Sequence, residues 1–202
     1  MTAKIDIARL KFALDDVKPQ VMRHIEVPLS IRLDRLHAAL QVAIGWTNSH
    51  LWEFRAGGSG WGVPDPDAGF GDEPHDAKKA TLFGVLEDTG ARSIGHLYDF
   101  GDGWEHTIKI ERIVDAEPGA LYPRLIDAVG RCPPEDISGP WGYTEFLEAI
   151  ADPARERHAE ITEWHPADFD PKAVDIIHID EQLETLAKRW TRARPATRRK
   201  SA

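Results

Sequence analysis

One short segment concentrates side chains that can do acid–base chemistry. Residues 98–106 place aromatic, carboxylate and imidazole groups around an Asp-Gly pair. That pair is typical of a two-residue type I′ turn, because both central residues need positive φ. A turn at Asp102 and Gly103 would set Asp99 opposite His106, where a carboxylate orients an imidazole as a general base. A three-residue loop would put Tyr98 there instead and remove this pair. The structural alternative is a core histidine satisfied by a carboxylate or a tyrosine hydroxyl.

A second polar segment, residues 45–54, follows a predicted helix and ends in a predicted strand. His50 and Glu53 would share a face on a helix but not on an extended chain. No compact set of His and Cys with zinc spacing occurs in the sequence, so no metal site is predicted. The intervening Thr47, Asn48 and Ser49 are alternatively explained as residues that cap backbone groups at a turn.

The third polar segment, residues 132–143, contains the single cysteine and three prolines. Nearby negative charge raises the pKa of a thiol, which disfavours Cys132 as a nucleophile. Glu135 and Asp136 are expected to accept backbone N–H bonds, and Trp141 to cover the core or line a cleft. The prolines predict an ordered loop or irregular chain throughout this segment. No Gly-x-Ser-x-Gly sequence indicates serine chemistry.

The elements before these segments follow from hydrophobic periodicity. Alternating apolar residues between Ile5 and Val27 predict a hairpin, with a bulge near Arg9 or burial of both faces. A helix is predicted over about residues 31–44, with Ser30 as its N-cap. Gly45 directly follows it, at the C′ position where glycine commonly ends a helix. Residues 51–55 have strand character.

The remaining elements complete the fold prediction. Residues 57–80 are rich in Gly, Pro and Asp and predict a long loop, either a lid or a mobile segment. A short helix is predicted over residues 81–86. The carboxyl-terminal third is predicted to be helical, with N-caps at Asp152 and Asp170, each followed by proline. The last helix carries an apolar repeat at Leu183, Leu186 and Trp190. The prediction is one α+β domain over residues 1–187, mainly antiparallel sheet, followed by a basic, flexible tail over residues 188–202.

The formal charge of −9 is distributed unevenly. After Glu184 the chain has seven basic and no acidic residues, so this end carries +7 and the rest −16. An acidic body repels phosphate, which disfavours nucleic acid as a partner except through the tail. No apolar stretch approaches the roughly 20 residues that cross a bilayer, and no signal region is visible. With one cysteine, we expect a cytoplasmic protein with no membrane partner.

Together the three polar segments resemble one family, and we refer to them as the first, second and third signature segments. The family is named after the third open reading frame of a root-inducing (Ri) plasmid. Its carboxyl-terminal motif is similar to residues 167–171, and the resemblance spans roughly residues 5–179. It implies a compact α+β domain without an established activity, so it transfers no catalytic residue. Some relatives carry the label of transposon resolvase, but this chain has no visible serine-recombinase nucleophile, no helix-turn-helix segment and an acidic body.

The leading hypothesis is a ligand- or protein-binding module with a cleft walled by tryptophans and lined by polar groups. An acidic rim would favour a cationic small molecule, such as an amine, or a basic peptide. The candidate ligand-binding residues are His50, Trp52, Glu53, Asp99, Asp102, Trp104, His106, Glu135, Asp136 and Trp141. One alternative is a hydrolase in which Asp99 orients His106 as general base, with or without a metal ion. Another is a mobile-element or nucleic-acid accessory protein that binds through its tail. No cofactor is predicted.

Overall fold

The computed structural model describes residues 5–65, 73–164 and 169–192, which contain eight strands and five helices. The strands are β1 (Asp6–Leu14), β2 (Met22–Pro28), β3 (Trp52–Ala56), β4 (Ser59–Gly62), β5 (His75–Asp76), β6 (Ser93–Tyr98), β7 (Trp104–Asp115) and β8 (Arg124–Val129). The helices are α1 (Leu33–Ile44), α2 (Leu82–Thr89), α3 (Gly139–Ala151), α4 (His158–Trp164) and α5 (Ile176–Arg192).

The strands form one sheet in the order β5-β4-β3-β6-β7-β1-β2-β8. Every neighbouring pair is antiparallel except β4 and β5. Three of the five helices follow the last strand. The predicted α+β class, with a mainly antiparallel sheet and a helical carboxyl-terminal third, is therefore confirmed. Within the described ranges, no helix combines the length and the apolar character needed to cross a membrane.

The opening hairpin forms as predicted, and of the two predicted alternatives the bulge near Arg9 is present. The register between β1 and β7 shifts between Arg9 and Leu10. Helix α1 ends at Gly45, whose φ of +109° lets its N–H reach the carbonyl of Gln41. The prediction of Ser30 as N-cap is wrong. Arg32 has extended geometry and forms an isolated bridge with Thr81, so the helix begins only after it.

The predicted long loop over residues 57–80 is partly wrong. Its first residues turn back as β4, and His75 and Asp76 add the two-residue edge strand β5; residues 66–72 lie outside the described ranges. The short helix predicted after it is confirmed as α2. Its N-cap is Thr81, whose hydroxyl accepts a hydrogen bond from the N–H of Gly84.

Helix α3 begins inside the third signature segment, which the prolines had predicted to be irregular throughout. Pro140 lies in the first turn of this helix, where the N–H that proline lacks has no intrahelical partner in any case. The irregular part therefore ends at Ser138. Phe146 then packs into the core from the buried face of α3.

The two predicted Asp-Pro helix caps are wrong. Asp152 ends α3 and accepts a hydrogen bond from the N–H of Ala154, and Asp170 accepts one from the N–H of Lys172. Both carboxylates thus stabilise tight turns instead of helix starts. In the first turn of α5 the corresponding acceptor is Asp175.

Helix α5 packs against α1 and β8 through its apolar repeat. Leu183 and Leu186 are buried, and Trp190 is partly buried. The helix continues to Arg192 and so passes the domain boundary predicted after residue 187. Residues 193–202 of the predicted tail lie outside the described part of the chain, as do Ala167 and Asp168 of the predicted carboxyl-terminal motif.

Candidate functional site

The three signature segments meet at one end of the sheet. Strand β3 begins at Trp52 and β6 ends at Tyr98, and these two residues are paired. The loop that leads from α1 into β3 therefore lies beside the loop that leaves β6. The third segment reaches the same place, because the indole N–H of Trp46 donates to the carbonyl of Pro133 at 2.9 Å.

Glu135 joins all three segments through its carboxylate. One oxygen accepts from the hydroxyl of Tyr98 at 2.6 Å and from the hydroxyl of Ser49 at 3.4 Å. The other accepts from the N–H and the hydroxyl of Thr47, at 2.9 and 2.7 Å. Burial disfavours the charged form of Glu135, but the bonds from Tyr98 and Thr47 outweigh it and hold its pKa below the ordinary value. The hydrogen bonds of Glu135 thus hold the three signature segments together.

A close backbone approach also ties the first signature segment to the third. Gly139 has a φ of +69°, and an added Cβ atom would overlap the carbonyl oxygen of Asp102. A glycine is therefore required here for two separate reasons, conformation and space.

Replacing Gly139 with alanine is expected to lower the free energy of unfolding by about 2 kcal/mol. About half comes from the positive φ and the rest from the overlap with Asp102. Gly103→Ala is the matched control, because Gly103 has a φ of +70° but nothing within 4 Å of its added Cβ. Urea denaturation of both variants measures the difference. Equal losses of the free energy of unfolding in the two variants would mean that the close approach of Gly139 to Asp102 contributes nothing to the cost of the substitution.

The loop between β6 and β7 is built by Asp99. Its Oδ1 accepts hydrogen bonds from the N–H groups of Gly101 and Asp102, at 2.9 and 3.3 Å. Its own φ is +56°, a conformation that Asp and Asn tolerate better than other side chains. With Oδ1 engaged in this turn, Oδ2 points towards His50 and lies 3.5 Å from Nδ1 of the imidazole.

The imidazole of His50 lies between two carboxylates. Asp99 faces Nδ1, and Oδ1 of Asp136 lies 3.2 Å from Nε2. The second contact is close but poorly oriented, so Nε2 is buried without a hydrogen-bond partner in the described chain. The side chain of Asp99 is 12% exposed, that of His50 28% and that of Asp136 75%, so the group opens to solvent on the side of Asp136. We call these three residues the His–Asp cluster.

Left-handed backbone conformations concentrate around this cluster. Of the five non-glycine residues with positive φ in the described ranges, four lie in the signature segments. They are Asn48, Asp99, Asp136 and Ser138. Each such residue costs of order 1 kcal/mol, and such strain accumulates at functional sites.

The predicted pair of Asp99 and His106 is wrong. The loop has five residues, so His106 pairs across the sheet with His96, and Tyr98 pairs with Trp104. His106 is only 2% exposed. The longer loop follows from the turn that Asp99 makes with its own side chain, which replaces the tight Asp-Gly turn.

His106 instead ends a buried chain of three histidines. Its Nδ1 donates to the carbonyl of His96 at 3.1 Å and faces Nδ1 of His96 at 3.4 Å. Because the carbonyl can only accept, His96 must carry its proton on Nε2, which donates to Nδ1 of His37 at 3.0 Å. His37 then donates from Nε2 to the side-chain oxygen of Asn48, in the second signature segment. With one neutral tautomer per ring, each of these contacts has a donor and an acceptor.

Several other candidate residues are not part of the His–Asp cluster. Trp104 is fully buried, and Trp52 stacks on His37 with 4.0 Å between ring centroids. Glu53 pairs with Arg55 on β3 at 2.7 Å. Asp102 is partly buried, with one carboxylate oxygen unpartnered among the described residues. The predicted tryptophan walls are thus two core residues, Trp52 and Trp104, and one surface residue.

That surface residue, Trp141, is 68% exposed and borders a cleft of about 200 Å³ between α3 and α4. The cleft touches Asp136 at one end, so it adjoins the His–Asp cluster. Its opposite wall carries Trp164, and Arg157 pairs there with Glu145 at 2.8 Å and Glu160 at 3.2 Å. Sequence reasoning missed this wall, because it lies outside the signature segments.

Cys132 shows no sign of activation. Desolvation raises the pKa of its thiol far above the ordinary value, which opposes formation of the thiolate. The thiol therefore lacks the lowered pKa that a cysteine nucleophile needs.

The resemblance predicted from the signature segments is confirmed by comparison with known proteins. A family model described as plasmid pRiA4b ORF-3-like protein matches residues 6–178. The uncharacterised protein y4hQ of Sinorhizobium fredii (strain NBRC 101917 / NGR234) is 53% identical over 187 residues, covering 92% of this chain and 95% of its own. A crystal structure of a protein of unknown function, MM3350 from Methanosarcina mazei Go1, has a TM-score of 0.75 and 29% identity, covering 89% of this chain and 98% of that chain. The chain thus belongs to the plasmid pRiA4b ORF-3-like family.

Proposed function

We propose that this protein is a binding module that holds a positively charged ligand at the His–Asp cluster. The observation that carries the proposal is the imidazole of His50 between the carboxylates of Asp99 and Asp136. A neutral imidazole has one N–H and can satisfy one carboxylate, which leaves the second carboxylate facing a lone pair. A cation supplies the charge that this arrangement lacks.

The surroundings of the cluster support a site that is rigid and accessible. Glu135 and Asn48 hold the loops through hydrogen bonds that do not involve Asp136, so the outer carboxylate is available for a ligand. The adjoining cleft offers two exposed indole faces, Trp141 and Trp164. Indole faces attract cations, and they could cover the apolar part of an organic one.

The two alternative functions have less support. His106 is nearly inaccessible to solvent and distant in register from Asp99, so it lacks the features of a general base. The carboxylates of the cluster would repel a phosphate backbone, and residues 193–202 of the basic tail lie outside the described ranges.

A thermal-shift panel tests the proposal. The probes are spermidine, a lysine-rich peptide and the chlorides of Mg²⁺, Ca²⁺, Mn²⁺ and Zn²⁺. At least one cation is expected to raise Tm by about 5–10 °C at a concentration of about 100 Kd. Asp136→Asn should abolish this shift, since asparagine tolerates the φ of +60° but carries no charge.

Asp88→Asn is the matched control, because it removes an exposed carboxylate from α2, outside the signature segments. It should keep the shift of the unmodified protein. The proposal is overturned when no probe raises Tm, or when Asp136→Asn and Asp88→Asn respond alike.

A further inference from the structure

We propose that the ligand of the His–Asp cluster is a divalent transition-metal ion, coordinated by His50, Asp99 and Asp136. This inference rests on the proposed function and names the class of cation. One potential ligand atom from each of the three residues lies within 4.8 Å of the other two. Three potential ligand atoms are therefore close enough together for one ion to draw them into its coordination shell.

The chemistry of the three donors selects the metal. One imidazole nitrogen with carboxylate oxygens suits Zn²⁺, Co²⁺ or Mn²⁺, whereas Mg²⁺ and Ca²⁺ prefer oxygen ligands alone. Three protein ligands leave at least one position open to water or a second ligand. The 75% exposure of Asp136 places that open side towards solvent and the tryptophan cleft.

Hydrogen bonding within the cluster does not by itself account for the arrangement. An imidazolium that donated to both carboxylates would make charge-assisted bonds of about 2.7–2.9 Å. The observed separations are 3.5 and 3.2 Å, and Nε2 makes no hydrogen bond to the described residues.

The protein also holds these ligands in place before any ion binds. Asp99 is fixed because its other oxygen closes the loop turn. Asp136 follows Glu135, which four hydrogen bonds anchor. The ring of Tyr98 packs edge-on against His50, with 5.7 Å between ring centroids. Such outer contacts orient metal ligands and reduce the entropic cost of binding.

Isothermal titration calorimetry of the full chain, freed of metal by chelation, tests the assignment. One equivalent of Zn²⁺ is expected to bind, followed in affinity by Mn²⁺, with Mg²⁺ and Ca²⁺ at least about tenfold weaker. His50→Gln should weaken Zn²⁺ binding by on the order of 100-fold, since it removes a ligand. His178→Gln, which replaces an exposed histidine on α5, is the control and should leave the affinity unchanged.

A second readout is independent of affinity. Pulsed EPR of the Mn²⁺ complex should show one directly coordinated imidazole nitrogen, and His50→Gln should remove that signal. The metal assignment is overturned when His50→Gln and His178→Gln bind equally well, or when no divalent ion binds while spermidine or the lysine-rich peptide still gives a shift that depends on Asp136. The latter result would leave the proposed function standing. Absence of every shift would remove both.

Discussion

Lowering the pH from about 7.5 to about 5.5 is expected to reduce the free energy of unfolding by about 4 kcal/mol. The cause is the buried histidine chain. Burial lowers the pKa of His37 and of His106 to about 4, and burial with the two neighbouring rings lowers that of His96 well below its ordinary value. In the unfolded chain all three titrate near pH 6.5.

The direction follows from proton linkage. At a pH well above about 6.5, the three rings are neutral in both the folded and the unfolded state, so their protonation does not lower the free energy of unfolding. As the pH falls from about 6.5 towards 4, the rings become protonated in the unfolded state but stay neutral in the folded state. Each ring then lowers the free energy of unfolding by about 1.4 kcal/mol per pH unit. Because His37 donates to Asn48, this loss of stability also affects the loop that carries His50.

Urea denaturation across this pH range measures the effect, and two variants identify its source. His106→Asn keeps a donor near the position of Nδ1 and should reduce the pH-dependent loss by about one third. His178→Asn removes an exposed histidine and should leave the loss intact. Stability that is constant between about pH 7.5 and 5.5 would contradict this description of the chain.

Glu135→Ala is expected to lower the free energy of unfolding by about 3 kcal/mol. The carboxylate accepts four hydrogen bonds, from Thr47, Ser49 and Tyr98, in a half-buried setting. Hydrogen bonds to a charged group are worth about 1.5–3 kcal/mol each when buried. Because Glu135 is only half-buried, water can replace some of these hydrogen bonds in the variant. The expected loss is therefore smaller than the sum of the four hydrogen-bond energies.

Glu53→Ala provides the comparison, since it removes a partly exposed carboxylate whose ion pair is with Arg55 and should cost under about 1 kcal/mol. Tyr98→Phe should cost about 1 kcal/mol alone and much less in the Glu135→Ala background. Equal costs for Glu135→Ala and Glu53→Ala, measured by urea denaturation, would show that Glu135 does not hold the segments together.

The sequence predicted those parts of the fold whose local structure depends on a single short segment. The change of apolar parity between Ile7 and Leu10 predicted either a bulge near Arg9 or burial of both faces, and the register shift lies at Arg9. Gly45 ends α1 as predicted, and the predicted short helix after residue 80 forms with Thr81 as its N-cap. The Asp-Pro pairs were misleading, because a short side chain that accepts an N–H two residues later stabilises a turn as readily as a helix start.

The candidate site was less predictable, because its geometry depends on which loops meet. His50, Asp99 and Asp136 are separated by 49 and 37 positions, so no motif spacing connects them. Each was recognised singly within a signature segment. The partner assigned to Asp99 was wrong, because its own side chain extends the turn to five residues. The roles of Glu135 and Asp136 also required the structure, since one of these neighbours is anchored and the other faces solvent.

Anomalous diffraction from crystals grown with Zn²⁺ would locate the ion relative to the His–Asp cluster. We expect one strong peak about 2.0–2.2 Å from a nitrogen of His50 and from carboxylate oxygens of Asp99 and Asp136. A fully occupied ion held by other residues, with the His–Asp cluster unchanged beside it, would show that the cluster is not the metal site.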